Sequence, residues 1–250
     1  MSRIQAVHPR TIDRYGRLKR RRFNKEFRFR VIGPLAGKTV LDVGCGDGIN
    51  AVNFAKLGAR VTGIDISPKA IELAQRRAEV DHVSDVVRMV CSPLELAELP
   101  PASFDVIWGE AVLHHLIHDL DDVMLRLMRW AKPGAVVVFG EPVNLSPALR
   151  KLRMMLPIHT DVTPDERPLE QAELDIVGRH LPDMRIRYFS VVDRLSRFVL
   201  PDHNYELSST PRRALSSIMN TIDYGLLSIP ALHWLAGTCV IYGHAPGPKS

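Results

Sequence analysis

The chain has 250 residues, 46% hydrophobic and 24% charged, which are ordinary proportions for one globular domain with or without a cap. Its formal net charge of +5 is local: residues 1–30 hold eleven basic and two acidic side chains, a net of +9 that leaves the other 220 residues at −4, so a uniformly basic nucleic-acid binder is excluded. Cys45, Cys91 and Cys239 are odd in number and have no Cys-x-x-Cys spacing, which argues against a disulfide framework and a structural zinc site.

The first expected element is a basic arm, residues 1–36, which interleaves arginines with Phe23, Phe27 and Phe29. Phe23 and Phe27 stand at i and i+4, so a helix laid on the body by an aromatic stripe is one reading. Contact with phosphates or anionic lipid at a membrane surface is the other. From Thr39 the chain alternates strand-like and helix-like segments: a strand at 39–43, a helix at 49–57 closed by Gly58, and a strand at 60–65. Ser67-Pro68 starts the next helix, Ser as cap and Pro in the first turn. Strands are expected at 86–90 and 104–108. Leu120, Val123, Met124, Leu127 and Met128 then repeat with helical period, Lys132-Pro-Gly134 ends that helix, and Ala135–Phe139 reads as a buried strand. Such alternation predicts βαβ units and a parallel sheet covered on both faces. Beyond Glu141 prolines interrupt the pattern; a helix at 169–180, a strand at 185–192, an irregular helical stretch at 194–236 and a last strand at 239–242 complete the expectation. No apolar run has membrane-spanning length and the start lacks the apolar core of a secretion signal, so a soluble, cytoplasmic protein is expected.

The chemistry concentrates in Val40-Leu-Asp-Val-Gly-Cys-Gly-Asp-Gly48, three glycines at alternate positions between a strand and a helix. Glycine there allows positive φ and close approach of a ligand. Asp65, at the end of the second strand, is placed to accept both ribose hydroxyls of a nucleoside lying across the carboxyl ends of the strands. A dinucleotide fingerprint requires a third glycine where this chain has Ile49, and Asp42 and Asp47 would oppose a diphosphate while favouring a cationic ligand. S-adenosylmethionine carries an ammonium and a sulfonium and no phosphate. At an effective dielectric near 20, each close pair of charges is worth roughly 4 kcal/mol.

These residues resemble the class I S-adenosylmethionine-dependent methyltransferases. Val40–Gly48 is similar to the family's first motif, Val61–Ser67 to its second, and Phe104–Leu116, which contains Trp108-Gly-Glu110 and His114-His115, to its fourth. Leu127–Glu141 is similar to the helix, turn and strand that follow. The match covers residues 37–142. It implies a Rossmann-like doubly wound sheet of seven strands, order 3-2-1-4-5-7-6 with strand seven antiparallel, carrying helical cap insertions. It also implies a cofactor-binding core at 37–142, a cap at 143–182, and the rest of the sheet at 183–250 with a helical insertion at 194–236. S-adenosylmethionine would be bound by Asp42, Gly44, Cys45, Gly46 and Gly48, with Asp65 on the ribose and Ile66 on the adenine face, and would leave as S-adenosylhomocysteine. Glu110 would lie beside the cofactor and Tyr15 would help to cover it. In the third motif Cys91-Ser92-Pro93 stands where the family has an acidic residue, so Ser92 would take the adenine amino group.

His115, with His114 beside it, is the candidate general base for a hydroxyl acceptor, since an imidazole near neutrality can take the proton. His159, Glu166 and Arg167, in the expected cap, are candidate acceptor contacts. The expected activity is methyl transfer to a small or amphipathic acceptor, a metabolite, lipid or sugar, at oxygen. Transfer to nitrogen or carbon, an RNA methyltransferase and a non-catalytic S-adenosylmethionine-binding protein are the alternatives. A homodimer is considered through the apolar stretch at 222–236.

Overall fold

Period-two burial sets the frame. In β1 (Thr39–Val43), Val40 enters one core cluster while Leu41 and Val43 enter the other, so the strand is buried on both faces. The molecule is described by a computed structural model that covers residues 4–18, 22–146, 167–200 and 205–247. Around β1 stand β2 (Arg60–Asp65), β3 (Val87–Cys91), β4 (Phe104–Glu110), β5 (Ala131–Pro142), β6 (Arg185–Phe189) and β7 (Thr238–His244). They form one sheet of order β3-β2-β1-β4-β5-β7-β6, with β7 antiparallel to both neighbours and the other pairs parallel. The expected topology is the observed one.

Helices α3 (Ile49–Lys56) and α4 (Pro68–Val80) link β1 to β2 and β2 to β3, and the Ser67 hydroxyl accepts the Ala70 N–H at 3.3 Å as the cap of α4. Helix α5 (Leu120–Trp130) lays Leu120, Val123, Met124 and Leu127 on the opposite face. Strand β5 begins earlier than the sequence pattern suggests. Ala131 already pairs with Phe104, and the register shift before Val136↔Val106 absorbs Lys132-Pro-Gly134 as a bulge. Residues 171–180, assigned by resemblance to a cap, form α6 (Gln171–His180), whose Leu174 and Val177 pack with α5 in the core. That helix covers the sheet. Most of the remainder of the expected cap, 147–166, lies outside the described residues.

The arm forms α1 (Pro9–Gly16) and α2 (Asn24–Ile32), and both pack. Phe29 is buried, stacked on Tyr15 with ring centroids 4.2 Å apart and tilted against Phe54 and Trp108. Phe27 meets Phe189 and Tyr242 edge-on. The aromatic side chains therefore pack against the body and do not present a base-stacking strip. Arg14 is paired with Glu26 and Glu206, Arg17 with Asp13, and Arg28 and Lys25 with Glu110. Lys19, Arg20 and Arg21 lie outside the described residues.

Candidate functional site

The carboxyl ends of β1, β2 and β4 meet at one edge, and a cavity of about 400 Å³ opens there. Gly44, Ile64, Asp65, Ile66, Ser92 and Pro93 line it, and so do Ala111, Val112 and His115. The turn after β1 explains its glycines. Gly44 has φ +63 and a Cβ there would come within 2.6 Å of Val112; Gly48 has φ +77 and a Cβ would meet Ala74 at 2.7 Å. Gly48 thus seats α3 against α4 and does not line the cavity. A Cβ on Gly46 would meet nothing within 4 Å, so that backbone is open to a ligand. The Cys45 side chain turns inward toward Gly63, leaving only its backbone near the turn.

Asp65 ties the site together. Its two carboxylate oxygens accept the N–H groups of Gly46 and Ser67, each at 2.9 Å, which fixes the turn and the entry to α4. Each oxygen keeps further acceptor capacity. Ile66, just past the end of β2, is 69% exposed at the cavity wall, an apolar surface open to a ligand. The Ser92 hydroxyl donates to the Pro93 carbonyl at 3.0 Å, which turns its lone pairs to other donors.

Asp42 sits behind the turn and is 1% exposed; among the described residues its Oδ2 has no hydrogen-bond partner. Burial, reinforced by nearby Glu110, pushes its carboxyl up to about 8, against the opposing pull of Lys25, the Ala51 N–H and Arg28. The sign follows from linkage. A carboxyl whose folded-state value is raised contributes stability that is fully present below its unfolded value and is lost as pH rises through about 8. Asp42→Asn is therefore expected to gain stability on the wild type as pH climbs from 5 to 8.5 in urea unfolding; parallel curves would show that Asp42 does not titrate in this range.

Several expected contacts lie elsewhere. Glu110, expected beside the cofactor, accepts from Arg28 at 2.6 Å and Asn50 at 2.7 Å and pairs with Lys25 at 3.1 Å. These partners hold its carboxyl well below the usual range despite burial. Glu110 anchors the arm, because Arg28 is almost fully buried over the face of Trp108, 4.5 Å from the ring centroid, and requires a counter-charge. Tyr15 is stacked on Phe29 in the core and does not line the cavity. Arg167, expected to reach an acceptor, is forked onto Glu173 at 2.7 and 3.2 Å at the start of α6. His159 and Glu166 lie outside the described residues.

The two histidines part company. The His114 Nδ1 lies 3.0 Å from the Glu141 carboxylate, whereas the His115 side chain belongs to the cavity. Their rings sit 4.0 Å apart. Glu141, fully buried at the end of β5, also accepts the N–H groups of Val112 and Leu113 at 2.9 and 3.0 Å, so one carboxylate clamps the single turn Leu113–His115. Ala111 immediately before it takes φ +53, a left-handed conformation costly for alanine and held by its N–H bond to the Gly140 carbonyl at 2.8 Å. Sequence reasoning passed over Glu141 and Asn50. The signal for Glu141 was an acid ending the apolar run 135–139, where an unpaired charge has no place.

This geometry has relatives. Residues 41–139 match the family described as Methyltransferase domain. The match lies on the part of the sheet that runs from β1 to β5. Ubiquinone biosynthesis O-methyltransferase of Paracidovorax citrulli is 41% identical over 109 residues, 44% of this chain and 45% of that protein. The mitochondrial enzyme of that name from Schizosaccharomyces pombe is 38% identical over 113 residues, 45% of this chain and 40% of that protein. The chain thus spans less than half the length of these two relatives. Among solved structures, Haemonchus contortus phosphoethanolamine N-methyltransferase 2 in complex with S-adenosyl-L-methionine superposes with a TM-score of 0.59 at 18% identity, covering 94% of this chain and 57% of that one. The [4+2]-cyclase SpnF superposes at 0.56 with 20% identity, covering 85% and 77%. These likenesses establish the fold of the methyltransferase domain; a cyclase among them shows that the fold does not dictate the reaction.

Proposed function

We propose that the chain uses S-adenosylmethionine to methylate an oxygen of a small or amphipathic acceptor. The observation that carries this reading is the shared cavity of Asp65, Ile66, Ser92 and His115 at the open glycine turn. The residues fit the cofactor. Asp65 receives the ribose hydroxyls on its remaining lone pairs, Ile66 covers a face of adenine, and Ser92 accepts from the adenine amino group. Behind the turn, the orphaned Oδ2 of Asp42 is an acceptor for the amino-acid ammonium, directly or through a water. When bound, the cofactor supplies an electrophilic methyl on a sulfonium. The chain's own part is to hold the acceptor in line, and His115 takes the hydroxyl proton. The names of the two ubiquinone relatives support transfer to oxygen.

Among the described residues no group of three or more His, Cys, Asp or Glu is placed to hold a metal, and no helix is long and apolar enough to cross a membrane. The proposed setting is the cytoplasm and the proposed partner a small-molecule acceptor. Calorimetry tests the cofactor. The wild type is expected to bind S-adenosylmethionine and S-adenosylhomocysteine, and Asp65→Ala to weaken both by about 10²-fold, the loss of two hydrogen bonds to a charged group. Binding of a nicotinamide dinucleotide in place of either adenosyl ligand would refute the proposal.

A further inference from the structure

Between β6 and β7 stand a short helix, α7 (Ser196–Val199), and α8 (Thr210–Leu226), whose polarity is largely reversed. Ser216, Asn220 and Asp223 are buried with Met219 on its inner face, while Leu215, Ile218 and Ile222 lie outward, 46%, 56% and 49% exposed. At 100° per residue these three fall within one 60° sector, a continuous apolar stripe. The inner face is held by polar bonds. Asp223 accepts the N–H groups of Val191, Val192 and Asp193 at 2.8–2.9 Å, and Asn220 donates to the Ser216 carbonyl and to Asp193. An ordinary covering helix buries its apolar side, so the outward stripe is unexplained by the fold of this chain. The turn that follows exposes Ile229 and Trp234 as well.

Cations border the stripe. Arg212 in the first turn lies roughly 60° from Leu215 around the helix, and Arg22 of the arm donates to Thr221 Oγ1 at 2.8 Å, beside Ile222. Neither is ion-paired with a described residue, and the exposed positions of α8 include no acidic side chain. A second copy would bring the same arginines and no counter-charge on this stripe. An anionic phospholipid surface complements both parts: acyl chains take the leucine and isoleucines, headgroup phosphates take the arginines, and an indole suits the boundary. Strand β6 is parallel to β5, both being antiparallel to β7, so the connection that holds α8 leaves and re-enters the sheet at the edge where the cavity opens.

We infer that the outer face of α8, with Arg22 and Arg212, docks the protein on an anionic lipid bilayer. The arm contributes Arg22 to this surface, whereas Arg14, Lys25 and Arg28 are engaged internally. The proposal does not depend on the acceptor or on methyl transfer. Sedimentation of the full chain with unilamellar vesicles tests it. Binding is expected to phosphatidylcholine vesicles doped with phosphatidylglycerol, weakly to phosphatidylcholine alone, and to fall with added salt. The substitutions I218S and I222S together are expected to lower partitioning by about 30-fold or more through lost apolar burial, with an unchanged thermal melt because both positions face outward. R22A with R212A is expected to lower it roughly 25-fold, about fivefold for each charge. Failure to sediment with the anionic vesicles, or equal partitioning of wild type and the isoleucine variant, overturns the proposal. So does a self-association in analytical ultracentrifugation that the isoleucine variant abolishes while vesicle binding is absent; the face would then belong to a second copy.

Discussion

His115→Ala is expected to lower kcat by about 10²-fold or more on a hydroxyl acceptor. Of the two adjacent histidines only His115 belongs to the cavity, while the Nδ1 of His114 is engaged by Glu141. A hydroxyl must lose its proton as it attacks, and an imidazole beside it can receive that proton. S-adenosylmethionine affinity should change little, because the expected cofactor contacts are on Asp65, Ile66, Ser92 and Asp42. A His114→Ala variant measured in parallel should lose less of kcat. If His115→Ala keeps the wild-type kcat, no base acts there and the rate comes from alignment alone.

Glu141→Ala is expected to be the most destabilising single change at the site, by about 3–5 kcal/mol, or roughly 10 °C in the melting temperature of a chain of this size. The substitution strands two buried N–H donors, those of Val112 and Leu113, and removes the partner of the His114 ring. A buried donor without an acceptor costs about 1–3 kcal/mol. Glu141→Gln keeps the volume and one acceptor oxygen, so its loss should be about half as large. Because the same carboxylate fixes the turn that carries His115, Glu141→Gln should also lower kcat with little change in cofactor affinity. Equal stability of Glu141→Ala and wild type in urea would show that the clamp is not formed.

The arm illustrates why part of the site was not legible in the sequence. Eleven basic residues in thirty suggest a solvated strip, yet Arg28 lies under α2 on Trp108 and is neutralised by Glu110, eighty-two positions away in the chain. Pattern shows that Phe23 and Phe27 can share a helix face; it does not show that Arg28, next to Phe27, can be buried, because that depends on an acid from β4. Arg167 failed for a related reason. Its charge has an acid six residues on in Glu173, and the local pair forms where a ligand contact was expected.

What the sequence by itself determined is the alternation of strands and helices and the glycine turn beside Asp65; the order of the sheet came with the family resemblance. Period-two runs, the cap of α4, and the spacing of Gly44, Gly46 and Asp65 are short-range facts, written within about twenty-five residues and decided by backbone sterics and apolar burial. Only the tertiary structure decided which histidine meets the cavity, that Glu110 holds the arm, that Glu141 clamps the turn before α5, and that α8 presents its apolar side to the outside. Each of these depends on where a charge finds its partner across the fold. Desolvation makes an unpaired buried charge so costly that the partner, and not the local pattern, dictates the position.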